Sequence, residues 1–264
     1  MEGVKPVALT IAGSDPSGGA GLQADLKTFH QFGVYGEAVV TLLTVQNTRE
    51  VAAVHPLEPG LVAAQIRAVV DDIPPDAMKT GALGNEGIIR AVAGALEGVD
   101  CPLVVDPVMI SKHGAALLPG DARKALLTGL LPLATLITPN LPEAAELTGL
   151  TVDSPAGMRE AARALAGETG AAVLVKGGHL LGEAIDLLYA GGEFHEFVSE
   201  RLRTANTHGT GCTYSAAITA CLAVGLSLVE AVARAKSYIT EAIRSNPGLG
   251  HGAGPVNHHV HALQ

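Results

Sequence analysis

The chain has no tryptophan and only four phenylalanines and four tyrosines in 264 residues. Its core must therefore be built from Ala, Val and Leu packed in regular layers, which suits helices on a parallel sheet. Cysteine is equally scarce. Cys101, Cys212 and Cys221 cannot complete a disulfide framework, and no two of them form a Cys-X-X-Cys pair, so a zinc site of that kind is excluded. Positive charge is in deficit, with 17 Lys and Arg against 26 Asp and Glu and a formal net charge of -9. With no basic run to offset it, nucleic acid is not an expected partner. No stretch approaches the roughly 20 apolar residues of a membrane span, and residues 1–6 run into a strand pattern without a charged and then apolar leader. A cytoplasmic protein with no membrane partner is expected.

Glycine is abundant, with 32 residues, and it recurs just after short apolar runs. Residues 7–12 form such a run. They end in Gly13-Ser14-Asp15-Pro16-Ser17-Gly18-Gly19-Ala20-Gly21, after which residues 22–32 carry helical spacing. The same strand, turn and helix alternation continues. Strand patterns lie at 38–46, 51–56, 76–79, 103–108, 134–138 and 172–175, with helical patterns at 61–70, 85–96 and 156–165. Residues 185–189 and 193–198, turned by Gly191-Gly192, read as a hairpin at a sheet edge. The pattern predicts one doubly wound α/β/α sandwich over residues 1–264, with a mainly parallel central sheet and a small β-hairpin extension. Residues 151–155, the longest linker-like stretch, are too few to divide it.

Asn206-Thr207-His208-Gly209-Thr210-Gly211-Cys212 opens an apolar helix over 213–224. The amides of Gly209, Thr210, Gly211 and Cys212 fall in its first turn, where they have no intrahelical acceptor and share the positive end of the helix dipole. That makes the turn a candidate anion cradle. Cys212 inside this field is expected to have its thiol pKa lowered from about 8.5, as a base or nucleophile. A packing turn with a structural cysteine remains the alternative.

Further polar residues stand at strand ends, where open α/β sheets bind ligands. Asp106 is placed for chemistry or for a turn before Pro107. Gln46 can give a donor and an acceptor to a heterocycle edge, or lie on the surface. Asn140 and Glu143, three apart at a helix start, can face one crevice or form a plain cap. Lys176, before Gly177-Gly178-His179, puts a cation where phosphates could lie. Gly19 and Gly21 mimic a dinucleotide fingerprint, but the extra Asp-Pro-Ser segment and the lack of an acidic residue at the end of a second strand argue against it; Glu37 precedes the strand pattern instead. The tail His258-His259-Val260-His261 suggests a metal, yet it has no acidic or cysteine partner nearby.

Taken together these stretches resemble the hydroxymethylpyrimidine and hydroxymethylpyrimidine phosphate kinases of thiamine biosynthesis, a ribokinase-like family. The resemblance runs the whole length. It rests on residues 8–21 with Gln23-Ala24-Asp25-Leu26-Lys27, on Val45-Gln46-Asn47-Thr48, Asp106-Pro107-Val108-Met109, Ile137-Thr138-Pro139-Asn140-Leu141-Pro142-Glu143 and residues 206–212. It implies ATP-dependent phosphorylation of the pyrimidine's hydroxymethyl group and then of the resulting phosphate, with Mg2+ as cofactor. By resemblance Gly13, Asp25, Gln46 and Val108 surround the pyrimidine, and Asp106, Asn140 and Glu143 lie near the magnesium-nucleotide. Gly209, Thr210, Gly211 and Cys212 form the anion hole, with Lys176 as a further cation. Cys212 stands where sugar kinases of the wider family carry Asp. The family's Lys-Ile-Gly-Met-Leu stretch is here Lys79-Thr80-Gly81-Ala82-Leu83, so Ala82 truncates a side chain expected to cover the ring. A homodimer is the expected assembly. Two rival readings stay open: a pyridoxine or pyridoxal kinase of the same branch, and a non-catalytic ligand sensor on the same scaffold.

Overall fold

In the computed structural model, which describes residues 5–109, 122–178 and 183–262, the apolar runs pair side by side. The strands are β1 (Val7–Ser14), β2 (Tyr35–Gln46), β3 (Val51–Pro56), β4 (Ala77–Thr80), β5 (Leu103–Val105), β6 (Leu136–Ile137), β7 (Ala172–Lys176), β8 (Ala184–Ala190) and β9 (Glu193–Ser199). They form one sheet in the order β3-β2-β1-β4-β5-β6-β7-β8-β9. The stretch from β2 to β7 is parallel, while β3 at one edge and the β8–β9 hairpin at the other are antiparallel. The helices are α1 (Gly21–Gln31), α2 (Pro59–Val70), α3 (Glu86–Leu96), a short α4 (Ala122–Ala125), α5 (Leu141–Thr148), α6 (Pro155–Thr169), α7 (Thr210–Ala223) and α8 (Leu228–Arg244).

Strand alternation sorts side chains onto two faces. Leu9, Ile11, Val105, Ile137 and Val173 enter a core shared with Ile66 of α2, Ile88 of α3 and Leu165 of α6. Val104, Leu136, Leu174 and Leu188 face the other way, toward Ile218 of α7 and Tyr238 of α8. On that second face Ala8 meets Phe29 of α1 and Ala216 and Ala220 of α7. Every residue of α7 from Thr213 to Cys221 is buried, as expected of a helix without a polar face. This is the α/β/α sandwich expected.

Several boundaries differ from the sequence reading. β5 stops at Val105 rather than 108 because Pro107 has no N–H for the ladder and the Val108 amide turns back to the Asp106 carbonyl at 2.8 Å. Glu37 lies inside β2, opposite Leu9, instead of before the strand. Gly36 and Glu37 have little intrinsic strand preference, so only pairing with β1 reveals them as strand. α4, continued by a π-helical turn at Leu126–Leu130 and a 3-10 turn at Leu131–Leu133, was not anticipated. His179 lies outside the described residues.

The chain leaves β1 toward β2 and β3 on one side and later adds β4 to β9 on the other. Strand order therefore reverses between β1 and β4, and the loops after them diverge to leave a crevice at the strands' carboxyl ends.

Candidate active site

That crevice is a cleft of about 1170 Å³ lined by the ends of β1, β2, β4, β5 and β7 and by the first turn of α7. Pockets for one small ligand run to roughly 300–1,000 Å³, so the space suits two substrates side by side. Gly13, Gln46, Ala82, Val108, Asn140, Glu143, Asp106, Lys176, Gly209, Thr210, Gly211 and Cys212 all line it. Asp25 does not.

α7 begins at Thr210, three residues earlier than the apolar pattern suggested, with Gly209 as its N-cap at φ 77°. A Cβ on Gly209 would sit 1.8 Å from the Gly19 carbonyl oxygen, so only glycine lets this loop close on the loop after β1. Thr207 accepts from both the amide of Thr210, at 3.3 Å, and its hydroxyl, at 2.8 Å. Gly209 accepts from the Thr213 amide at 2.8 Å. Of the four amides expected, that of Thr210 is used within the loop, and those of Gly209, Gly211 and Cys212 meet no acceptor among the described residues. Thr210 serves the loop itself.

An ionic centre lies against this turn. Lys176, at the end of β7, donates to Asp106 Oδ1 at 2.8 Å, and Thr138 donates to the same oxygen at 3.2 Å. Ser215 Oγ is 3.4 Å from Asp106 Oδ2. A Cβ on Gly211 would be 3.5 Å from Lys176 Nζ and 3.6 Å from Asp106 Oδ2, so the ion pair meets the helix start directly. Burial works to push the Lys176 ammonium pKa down, but Asp106 and Glu143 outweigh it and hold the group protonated. Asn140 and Glu143 form a full capping box on α5: Asn140 Oδ1 accepts from the Glu143 amide at 2.9 Å and Glu143 Oε2 from the Asn140 amide at 2.8 Å. Both readings of this pair thus hold at once, because the capped helix start also faces the cleft.

Glu143 is buried, and that burial pushes its carboxyl up to about 7, with Asp106 adding to the rise and Lys176 opposing it. Between the ordinary value of 4.5 and about 7 the folded protein binds more protons at this site than the unfolded chain, so the site's contribution to stability falls as pH rises through that window. In metal-free buffer, the stability of the wild type relative to Glu143→Gln is accordingly expected to fall between pH 4.5 and 7 and level off above it. Urea unfolding at pH 5 and pH 8 checks this, and a pH-independent difference would rule it out.

A second ion pair is fully buried. Lys79 Nζ donates to Asp25 Oδ2 at 2.8 Å and Thr10 Oγ1 donates to the same atom at 2.6 Å, with Lys79 and Asp25 both 0% exposed. Asp25, implied to lie around the pyrimidine, is fully buried against Lys79 and Thr10 and does not line the cleft in this structure. The expected lowering of the Cys212 pKa is also overturned. Burial, the largest cause, together with the carboxylates of Asp25 and Asp106 pushes the thiol up to about 12 against the opposing effects of Lys79 and the Gly21 amide. Desolvation by the surrounding chain is the main cause, and the two carboxylates from distant segments add to it.

The sequence reading also missed Asp15, His208 and Lys79. Asp15 accepts from the Ser17, Gly19 and Ala20 amides and from the Ser17 hydroxyl, and His208 Nε2 lies 2.8 Å from its Oδ2. It thereby folds the loop after β1 and ties it to the loop before α7. Asp-Pro-Ser was a readable turn signal; its partner nearly two hundred residues away was not. His258, in the tail, packs against Thr213 Oγ1 at 3.0 Å. Among the described residues no group of three or more His, Cys, Asp or Glu is arranged to hold a metal by itself.

With this geometry in view, residues 15–257 match the phosphomethylpyrimidine kinase family. The chain belongs to that family. A hydroxymethylpyrimidine/phosphomethylpyrimidine kinase of Streptomyces coelicolor is 49% identical over 96% of this chain and 94% of that protein. A thiamine biosynthesis bifunctional protein of Geobacter sulfurreducens is 53% identical over 95% of this chain, which spans only 51% of that relative's length. The solved ADP complex of Bacillus subtilis pyridoxal kinase superposes with a TM-score of 0.90 at 41% identity, covering 97% of this chain and 98% of that one. No helix among the described residues is long and apolar enough to cross a membrane.

Proposed function

We propose that the chain, acting as one domain, transfers the γ-phosphoryl group of ATP to the hydroxymethyl group of hydroxymethylpyrimidine, and a second one to the resulting monophosphate, in thiamine biosynthesis. The observation that carries the reading is one cleft joining the free first-turn amides of α7, the Lys176–Asp106 pair and the crevice between β1 and β4. The acceptor oxygen forms the new O–P bond as the bridging bond to ADP breaks, and in a loose transition state its proton leaves late, to solvent water. The amides of Gly211 and Cys212 and the Lys176 ammonium take up the charge of the moving group. Cys212 holds a protonated sulfur beside that point, which suits orienting the hydroxyl rather than serving as a preformed base. Gln46, at the end of β2, offers its amide to the ring's amine and adjacent nitrogen.

Asp106 and Glu143 are the carboxylates near the nucleotide side, and each already accepts a hydrogen bond from the protein. So few remaining oxygens fit a hydrated Mg2+ held mainly by nucleotide phosphates, not an ion caged by side chains. When bound, such an ion would spread the phosphates' charge. The exposed Leu43 and Val45 of β2 support a homodimer that covers them.

ADP release, followed in parallel with hydroxymethylpyrimidine, its phosphate and pyridoxine, tests the reading, and no pyrimidine-dependent ADP would reject both the kinase and its order of preference. Pyridoxine is included because of the pyridoxal kinase likeness and because Ala82 leaves only a methyl on the pocket wall. Leu42 sits against Gly13 beside Ala82, where a Cβ on Gly13 would come 2.5 Å from Leu42 Cδ1 and 3.7 Å from the Ala82 methyl. Ala82→Met is expected to cut kcat/KM for pyridoxine about tenfold relative to the pyrimidine; an unchanged ratio counts against a roomier pocket.

A further inference from the structure

The glycine-rich stretch 248–255 stands out in the sequence and contributes nothing to the chemistry above, yet its contacts join the two halves of the cleft. One end meets the turn at residues 47–50, next to Gln46. That turn closes on itself: Asn47 Oδ1 accepts from the Arg49 and Glu50 amides, and the Asn47 amide donates to the Glu50 carbonyl. Thr48 is left to bond outward. Its Oγ1 accepts from the His251 amide at 3.1 Å and the Gly252 amide at 3.2 Å, and its carbonyl accepts from the Ala253 amide at 2.7 Å. A Cβ on Gly252 would lie 2.0 Å from the Thr48 carbonyl oxygen, so no other residue permits this approach.

The other end meets the loop before α7. The Gly254 amide donates to Asn206 Oδ1 at 3.1 Å, and its carbonyl accepts from the His208 amide at 3.0 Å. The Val256 amide returns to the His208 carbonyl at 3.3 Å. His208 is followed by Gly209 and the amides of the anion cradle. Ala253, bonded to the Thr48 turn, and Gly254, bonded to the loop before α7, are consecutive residues, so no chain slack is available between the two sets of bonds.

From these contacts we infer that residues 248–256 form a strap coupling the turn beside Gln46 to the loop that opens α7, and that Thr48 is a positioning residue for phosphoryl transfer. The inference rests on the kinase reading for its effect on rate, but the coupling itself is a property of the free protein. A displacement of the 47–50 turn is carried through the strap to the Gly211 and Cys212 amides. Acceptor placement and phosphate placement are thereby set together, which matters where small misalignments cost much of the rate.

Thr48→Val removes the hydroxyl acceptor while keeping the side chain's shape, and Thr48→Ser keeps the hydroxyl. Amide hydrogen exchange on the ligand-free proteins gives the first readout. In Thr48→Val the His251 and Gly252 amides, and across the strap those of His208 and Val256, are expected to exchange about tenfold faster, as for the loss of two hydrogen bonds. Thr48→Ser should match the wild type. Steady-state kinetics with hydroxymethylpyrimidine and ATP give the second: Thr48→Val raises the pyrimidine KM and lowers kcat, each by about fivefold or more, with the ATP KM within about twofold, and Thr48→Ser recovers both. Unchanged exchange at His208 and Val256, or kinetic constants equal to the wild type, overturns the inference. A wild type that does not phosphorylate the pyrimidine sinks the kinase reading instead, and the exchange result then still decides whether the strap exists.

Discussion

Cys212→Ala is expected to lower kcat by about 10²-fold or more while ATP affinity stays near the wild-type value. The sulfur lines the cleft at the first turn of α7, between the amides offered to the phosphoryl group and the acceptor side. Removing it takes away the group that orients the hydroxyl without touching the nucleotide's own contacts. With the thiol pushed up to about 12, the sulfur is expected to keep its proton between pH 6 and 9 in the free protein, so the kcat/KM profile over that range should show no step from it. Cys212→Ser, which keeps a donor, should stay nearer to the wild type than Cys212→Ala. Cys221→Ala is the control. It lies nine residues along α7, about 13 Å away by helical rise, and is buried in the second core. Its loss should cost about 1 kcal/mol of stability and leave kcat alone. Near wild-type turnover in Cys212→Ala would remove the residue from the mechanism.

Lys79→Met carries the largest expected effect on stability. Lys79 and Asp25 are fully buried, and the ammonium is one of two groups that bond Asp25 Oδ2. Burial alone would push the Lys79 pKa down; Asp25, with Asp106 adding to it, reverses that and holds the charge in place. Deleting the cation strands a carboxylate in the interior, at a cost of about 3–5 kcal/mol. Against a total stability of roughly 5–15 kcal/mol, this brings the protein to the edge of unfolding. Asp25 would then be pushed up further. Its folded pKa lies above its unfolded value, so the folded state binds the extra proton and the deficit shrinks as pH falls. The double variant Asp25→Asn/Lys79→Met carries no buried charge at either position and is expected to recover most of the loss. Urea unfolding of the single and double variants tests this, and strictly additive losses would show that the two groups do not act as a pair.

The pair also lies close to the chemistry. Lys79 Nζ would be 3.8 Å from a Cβ on Gly81, a residue of the cleft wall, and its charge opposes the rise in the Cys212 pKa. Nothing local marked it. In the sequence Lys79 looks like one more polar residue at the end of a four-residue strand, and its partner is 54 residues earlier on a helix.

What the sequence by itself determined was local and periodic. The alternation of short apolar runs with helical patterns specified the layered α/β/α architecture, because strands buried on both faces and helices with one buried face leave different spacings. Motif chemistry at strand ends placed Gly13, Gln46, Asp106, Lys176 and the 206–212 loop at one edge, since parallel strands bring their carboxyl ends together. Only the tertiary structure decided the rest. It buried Asp25 away from the cleft wall, paired Lys79 with it, tied Asp15 to His208, and desolvated the Cys212 thiol near two carboxylates, which pushes its pKa up. Each of these depends on the electrostatics and packing of groups far apart in the chain, whose distances are set by the fold and leave no trace in the spacing of neighbouring residues.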